Sequence, residues 1–313
     1  MHWKTKAFIQ NMLSILPSNI SYEMYYKAQR ICGGLRKVDP MVGIRDGIAI
    51  IRSIEGMGKK IYDKEFVEIG TGRTITIPIT LWLCGASRII TVDLNPYLKT
   101  ELIQEELDFI RSNQDAVLEM FGDRCAQKLF NERFDWIVRG KIDIKGFMKE
   151  SQIDYFAPSD ARRLAVWDRS IDYHISNNVF EHVPLDVVGQ ILSEGRRKLK
   201  DDGLMVHRID FSDHFSHSDS RIPTIHFLRY SEEQWRRYSG NRYMYHNRAR
   251  IDEIEEIMEK AGLKIIDQKL EIDHEAVRLI KSGLKLDKRF ADKPAEVNSV
   301  LNGLIVAIKV QHA

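Results

Sequence analysis

The sequence predicts a doubly wound α/β sheet, and three observations carry that expectation. From residue 66 onward, short apolar runs ending in turn residues alternate with helix-patterned stretches. A Gly-x-Gly turn follows the first of these runs directly, as it does where a strand hands over to a helix. Acidic and amide residues close the succeeding runs, so the polar positions gather at one end of the strands.

The elements follow in order. The first sixty residues read as helix, broken by Gly33-Gly34 and Pro40. An amphipathic helix with Phe8, Met12 and Ile15 or Leu16 on one side stops at Pro17, and that side is expected to pack on its own domain. Ten Lys/Arg against four Asp/Glu over residues 1–60 keep a second reading open, peripheral contact with a membrane surface. FVEIG (66–70) is the first strand, 74–84 a helix and RIITVDLNP (88–96) the second strand with its turn. Residues 97–150 are helical and polar, longer than a connection needs, and are expected as an insertion forming a helical lid. IDYFAP (153–158), IDYHISN (171–177) and LMVHRIDF (204–211) continue the strands, with a helix over 185–200 between the last two. A second insertion spans about 212–249. A helix over 250–262 and strands over 263–272 and 303–310 complete the chain. The expected organisation is a helical region at 1–60 and one α/β domain at 61–313, its last strand antiparallel to an otherwise parallel seven-stranded sheet.

Composition bounds the function. The 313 residues are 43% hydrophobic and 29% charged, an ordinary globular balance. A net charge of +2 calls for no nucleic-acid partner. Cys32, Cys84 and Cys125 form no CxxC pair, which argues against a disulfide framework or structural zinc and for a reducing, cytoplasmic setting. The most apolar stretch, residues 75–86, is shorter than the ~20 residues a spanning helix needs.

The chemistry centres on VEIGTGRT (67–74). Its glycines allow positive φ and close backbone approach, and the helix start that follows can receive a polar or anionic group. Asp93 closes the second strand, where a carboxylate can accept hydrogen bonds from ribose hydroxyls. Asp160 follows the third strand, and Ser176-Asn177-Asn178 ends the fourth. A dinucleotide fingerprint would place glycine where Ile75 stands, and its first glycine would not follow an acid such as Glu68, so NAD is disfavoured.

These residues resemble the class I S-adenosylmethionine-dependent methyltransferases, a Rossmann-like family, over about 64–211 by motif and to 313 by strand order. The resemblance implies that Glu68, Gly70 and Gly72 surround the methionine and ribose portions of the cofactor. It implies that Asp93, with Leu94 beside it, holds the ribose hydroxyls. Asp160 would meet the adenine amine with the Ala161 backbone alongside, and Asn177 would lie at the same edge. S-adenosylhomocysteine would be the product. Arg73-Thr74 departs from the small residue the family often has there, and no Asn-Pro-Pro-aromatic motif follows the fourth strand, which disfavours DNA amino-methylation.

For an acceptor hydroxyl, a general base must lie beyond the carboxyl edge. His182 is one candidate, and the cluster DFSDHFSHSD (210–219) supplies Asp210, Asp213, His214, His217 and Asp219. A carboxylate–imidazole pair there could remove a proton, or several of these groups could hold a divalent cation; no metal ligand is assigned. His182, Asp210 and His214 are the expected catalytic residues. Residues 226–250 interleave six Arg with six Phe, Tyr or Trp, a pattern suited to an anionic or glycosylated acceptor, to RNA, or to structural packing. With the N-terminal run LSILPSNISYEMYYKAQRICGGLRK, these segments look like a bacterial subgroup associated with surface-polysaccharide biosynthesis, which implies a sugar or glycolipid-linked acceptor. A cytoplasmic, O-directed glycan methyltransferase is therefore expected, with contact at the inner membrane face as the second reading. An RNA or small-molecule methyltransferase is the alternative, and an NAD-dependent oxidoreductase or a non-catalytic binding protein a more distant one. Oligomeric state is not assigned.

Overall fold

The computed structural model describes residues 1–140 and 143–310. Three helices lead: α1 (Trp3–Ile15), α2 (Ser18–Cys32) and α3 (Met41–Gly56). Then come β1 (Glu65–Ile69), α4 (Thr76–Leu83) and β2 (Arg88–Val92), followed by α5 (Thr100–Ser112), α6 (Gln114–Phe121), α7 (Lys128–Arg139) and α8 (Ile144–Glu150). Strands β3 (Ile153–Phe156) and β4 (Ile171–Asn177), helix α9 (Leu185–Lys198) and strand β5 (Leu199–Asp210) carry the sheet onward. The remainder is α10 (Glu232–Ser239), α11 (Ile251–Lys260), β6 (Leu263–Ile272), α12 (His274–Lys281), α13 (Lys288–Ala291), α14 (Ala295–Asn298) and β7 (Val300–Lys309).

The seven strands form one Rossmann-like sheet in the order β3-β2-β1-β4-β5-β7-β6. β1 to β5 run parallel, and β7 lies antiparallel to both of its neighbours. The order reverses at β1, which pairs with β2 on one side and β4 on the other. The loops leaving β1 and β4 therefore part there, and the crevice between them is where open α/β sheets bind ligands. The strand ends are level: Ile69 pairs with both Val92 and Ser176. Both faces of the sheet are covered, so Phe66, Val67, Glu68 and Ile69 are all buried, without alternation, although Glu68 is a carboxylic acid.

One face packs against α3 and α4, with Ile48, Ile51, Trp82 and Leu83 meeting Phe66, Ile89 and Tyr173. Gly43 and Gly47 let α3 close on α4, because a Cβ at either would come within 2.8 Å of Thr76 or Thr80 side-chain carbon. The 97–150 stretch, expected as a lid, forms part of this layer instead: Ile103, Leu107, Ile110, Phe130, Phe134 and Phe147 belong to the same core. Their helical spacing gives α5 and α7 one apolar stripe each, and burying that stripe on the sheet is worth roughly 1.5–3 kcal/mol per large side chain. The other face carries α9 and α11, with Val188, Ile191, Ile254 and Met258 on Val67, Ile90 and Met205.

Helix α1 corrects a second expectation. Trp3, Ala7 and Gln10 point inward, while Phe8, Met12 and Ile15 are exposed at 65%, 53% and 76%. Trp3 seats among Phe215, Tyr230, Trp235 and Tyr238, an aromatic cluster strong enough to decide which stripe is buried. Among the described residues, no helix is long and apolar enough to cross a membrane.

Candidate active site at the carboxyl edge of the sheet

The turn after β1 is built from two glycines with different duties. Gly70 has φ +82° and donates its N–H to the Val92 carbonyl at 2.8 Å. A Cβ there would sit 2.4 Å from Val179 Cγ2, so the position is closed to side chains. Gly72 has φ +69°, and nothing lies within 4 Å of where its Cβ would be. Its N–H donates to Asp93 Oδ2 at 2.8 Å, while the Asn95 N–H donates to Oδ1 at 2.8 Å. Burial raises the Asp93 carboxyl above its ordinary range, opposed by those two amides and the Arg73 charge. A carboxylate has about four lone-pair positions, so two remain for a ligand. Leu94, next in sequence, is 67% exposed and offers an apolar wall.

Beneath the turn, Thr91 Oγ1 donates to Glu68 Oε2 at 2.5 Å and lies 2.6 Å from Thr71 Oγ1. Burial pushes the Glu68 carboxyl up to about 8. Glu106 of α5 accepts from the Ile75 N–H at 2.9 Å and from the Thr76 hydroxyl, and so holds the first turn of α4. Over the turn, the Arg73 guanidinium lies 4.9 Å from the Tyr97 ring and 5.6 Å from that of Tyr26, and the Tyr22 hydroxyl donates to Asn95 Oδ1 at 3.1 Å. Arg73, the departure noted in the motif, is thus the point where α2 closes on the glycine turn. At the end of β4, Asn177 Nδ2 donates to Asp46 of α3, which also pairs with Arg208 at 2.8 Å. Asn177 Oδ1 and Arg208 Nε are buried without a partner.

The second cluster lies past β4 and β5. Asp210 closes β5 and lies 3.2 Å from His214 Nε2, outside hydrogen-bonding geometry, and 3.7 Å from His217 Nε2. Burial alone would raise Asp210, but His214 and the Ser212 amide and hydroxyl pull it down to about 2. The His214 ring stands 4.9 Å from His182 and 5.2 Å from His246. His182 Nδ1 faces the Tyr245 carbonyl at 2.9 Å; a carbonyl only accepts, so Nδ1 carries the proton and Nε2 of the neutral ring has a free lone pair. His246 is the converse: Nδ1 accepts from the Arg248 N–H at 3.0 Å, which leaves the proton on Nε2. Glu181 is buried, with no donor among the described residues in hydrogen-bonding geometry on either oxygen, and burial lifts its carboxyl well above the ordinary range. Ligand atoms of Glu181, His182 and His214 lie within 4.8 Å of one another, close enough to accept a divalent cation.

The structure thus gathers Glu68, Gly70, Gly72, Asp93 and Leu94 around one turn, and His182, Asp210 and His214 in one cluster at the same edge. Asp160 follows Ser159, whose N–H donates to the Asp93 carbonyl at 2.8 Å, and its own carboxylate accepts from the Arg162 amide and guanidinium, while Ala161 packs on the second core. Asp213 and Asp219 turn away from the site; the first accepts from the Phe215 N–H and His226, the second from the Trp3 N–H and Arg221. Most of the aromatic–arginine segment proves structural. Trp235 is core, Arg250 donates to the Phe211 and Val300 carbonyls, and Arg248 to those of Phe227 and Tyr230. His246 joins the cluster without a local motif that marks it as a site residue. His246 arrives because Asn247 Nδ2 donates to the Phe180 and Val183 carbonyls, which lays 245–248 along 180–183. The Tyr-His-Asn-Arg run was the available signal.

No family profile matches the chain, and no curated protein matches it. Several solved structures are similar to it. An S-adenosylmethionine-dependent methyltransferase of Methanosarcina mazei matches at 16% identity over 80% of this chain and 94% of its own, with a TM-score of 0.44. Phosphoethanolamine N-methyltransferase 2 of Haemonchus contortus, solved with S-adenosyl-L-methionine, matches at 15% over 85% of this chain, TM-score 0.45; the chain spans 52% of that enzyme's length. An S-adenosylmethionine-dependent methyltransferase from Mesorhizobium loti matches at 13% identity over 85% of this chain and 100% of its own, TM-score 0.43.

Proposed function

We propose that this chain is an S-adenosylmethionine-dependent methyltransferase directed at oxygen, acting on a sugar of a surface glycan or its precursor. One observation supports this above the others: the Gly72–Asp93 cradle and the His182–Asp210–His214 cluster share one edge of the sheet. β5 lies two strands from β1, about 10 Å at ordinary strand spacing, room for a bound nucleoside between cradle and cluster. The cradle fits the cofactor. Open space stands over Gly72, two acceptor positions on Asp93 are unused, and the orphaned Asn177 Oδ1 and Arg208 Nε offer one acceptor and one donor.

S-adenosylmethionine supplies a methyl group on a sulfonium, which needs an in-line nucleophile and little acid–base help beyond the acceptor's own proton. In that setting Asp93 would hold the ribose hydroxyls. His182 Nε2, a free lone pair of the cluster, would take the hydroxyl proton. Asp210 would orient His214 beside His182 and favour positive charge building there. The exposed Arg236, Arg237 and Arg242 would face an anionic or glycosylated acceptor. The test is transfer of radiolabelled methyl from S-adenosylmethionine into a bacterial glycolipid extract. His182→Ala and His214→Ala should leave S-adenosylhomocysteine affinity within threefold while transfer falls roughly 10²–10⁴-fold. Unchanged transfer in both variants would remove the cluster from the mechanism.

A further inference from the structure

The stripe that α1 leaves outside is not isolated. On α1, Lys4, Phe8, Met12 and Ile15 follow one another at helical spacing, all exposed. On α2, Ile20, Met24, Lys27 and Ile31 repeat the pattern, again exposed. Each helix therefore presents an apolar stripe with a lysine in it, while its opposite side is anchored. Residues 1–38 hold six Lys/Arg and a single acid, Glu23; Glu23 is paired with Lys99 and Arg30 with Glu105, which leaves Lys4, Lys6, Lys27, Arg36 and Lys37 as the excess of positive charge. Arg242, exposed, donates to the Ser14 carbonyl at 3.0 Å, and the Arg237 carbonyl accepts from Asn11 at 2.9 Å, so the cations of the α10 region border α1. This face has apolar side chains ringed by cations, the complement of an anionic bilayer surface.

Its position is informative as well. The other side of α1 is tied to the loop that carries the histidine cluster. The Met1 ammonium donates to the Ser218 carbonyl at 3.0 Å, Lys6 Nζ to the Ser218 hydroxyl at 3.1 Å and the Trp3 N–H to Asp219 at 2.9 Å. Ser218 directly follows His217. The α2 side chains Tyr22 and Tyr26 lie over the glycine turn, as described above. A surface that held α1 and α2 would thus hold the helices that border both halves of the site.

We infer that the exposed face of α1 and α2 docks on an anionic phospholipid bilayer, and that the acceptor is presented there, carried on a lipid. The second clause rests on the proposed function; the first does not. Docking places Phe8, Met12 and Ile15 at the acyl boundary, with Lys4, Lys27, Arg36 and Lys37 at the headgroups.

The experiment is flotation of the full chain with vesicles of phosphatidylglycerol and phosphatidylethanolamine, and with phosphatidylcholine alone, at low and high salt. The chain should float with the anionic vesicles at least tenfold more than with the neutral ones, and less as salt rises. Replacing Phe8, Met12 and Ile15 together by Ser should reduce flotation by at least tenfold. Lys4→Glu with Lys27→Glu should do the same and, being a change of exposed groups alone, tests the idea even if the first variant folds poorly. Wild-type chain that stays below the anionic vesicles, or variants that float as well as wild type, would overturn the inference. So would a dimer in ultracentrifugation that the serine variant dissolves, with no flotation, for the face would then be a self-interface. S-adenosylhomocysteine titration of the same preparation separates the two readings: binding without flotation defeats the docking alone, and flotation without binding defeats the methyltransferase reading alone.

Discussion

Alanine at Gly70 and at Gly72 should injure the protein in opposite ways, although the two glycines are two residues apart in one turn. Both sit at positive φ, +82° and +69°, where a side chain costs about 1–2 kcal/mol. At Gly70 the new Cβ would also stand 2.4 Å and 2.9 Å from the two Val179 methyls, against an ordinary contact above 3.4 Å. Overpacking of that kind adds about 1–3 kcal/mol, so Gly70→Ala should lose about 2–5 kcal/mol in all. At roughly 2 °C per kcal/mol for a chain of this size, its Tm should fall by about 4–10 °C. Gly72→Ala meets no atom within 4 Å and carries the strain alone, a Tm loss of about 2–4 °C. Its methyl, however, projects into the space assigned to the cofactor. S-adenosylhomocysteine affinity should therefore fall by at least about thirtyfold, equivalent to about 2 kcal/mol. Differential scanning fluorimetry and calorimetric titration on both variants read the two effects separately. Gly72→Ala protein that binds S-adenosylhomocysteine as tightly as wild type would refute the assignment of that space.

Three further outcomes follow. Asp93→Ala removes two open acceptor positions worth about 1.5–3 kcal/mol each, so S-adenosylhomocysteine should bind at least about a hundredfold more weakly by calorimetry. Glu68 titrates near 8 in the folded protein against an ordinary 4.5, so its protonated form contributes stability that is full below 4.5 and lost as pH rises through 8. Wild type should lose up to about 1.4 kcal/mol per pH unit in that window through this group, Glu68→Gln should not, and parallel Tm–pH curves would contradict the linkage. Arg250→Met should leave two buried carbonyls without donors at about 1–3 kcal/mol each, whereas Arg236→Ala, on the surface, should stay within about 0.5 kcal/mol in chemical denaturation.

Strands β4 and β6 are legible in the sequence to the residue, because a parallel or paired strand bounded by turn residues leaves its apolar run visible. β5 begins at Leu199, earlier than 204, since Leu199 pairs with Ile171 across an irregularity that no local pattern announces. Helices α12 to α14 are short and capped by Asp273, Asp287 and Pro294, signals too local to place them in a fold. The glycine turn and Asp93 could be read because their chemistry is fixed by spacing along the chain. His246 could not, since it reaches His182 and His214 only when Asn247 fastens the 245–248 segment to 180–183. Arg248 and Arg250 left three readings open for a related reason: a buried guanidinium that satisfies backbone carbonyls has the same one-letter pattern as one that waits for a phosphate. The outward stripe of α1 likewise depends on Trp3, whose aromatic partners come from residues more than two hundred positions away.

The most direct measurement of the central claim is calorimetric titration of the purified chain with S-adenosylhomocysteine, with NADH in parallel. The account predicts micromolar binding of S-adenosylhomocysteine and none of NADH. Folded protein, free of carried-over cofactor, that binds NADH or neither ligand would contradict it.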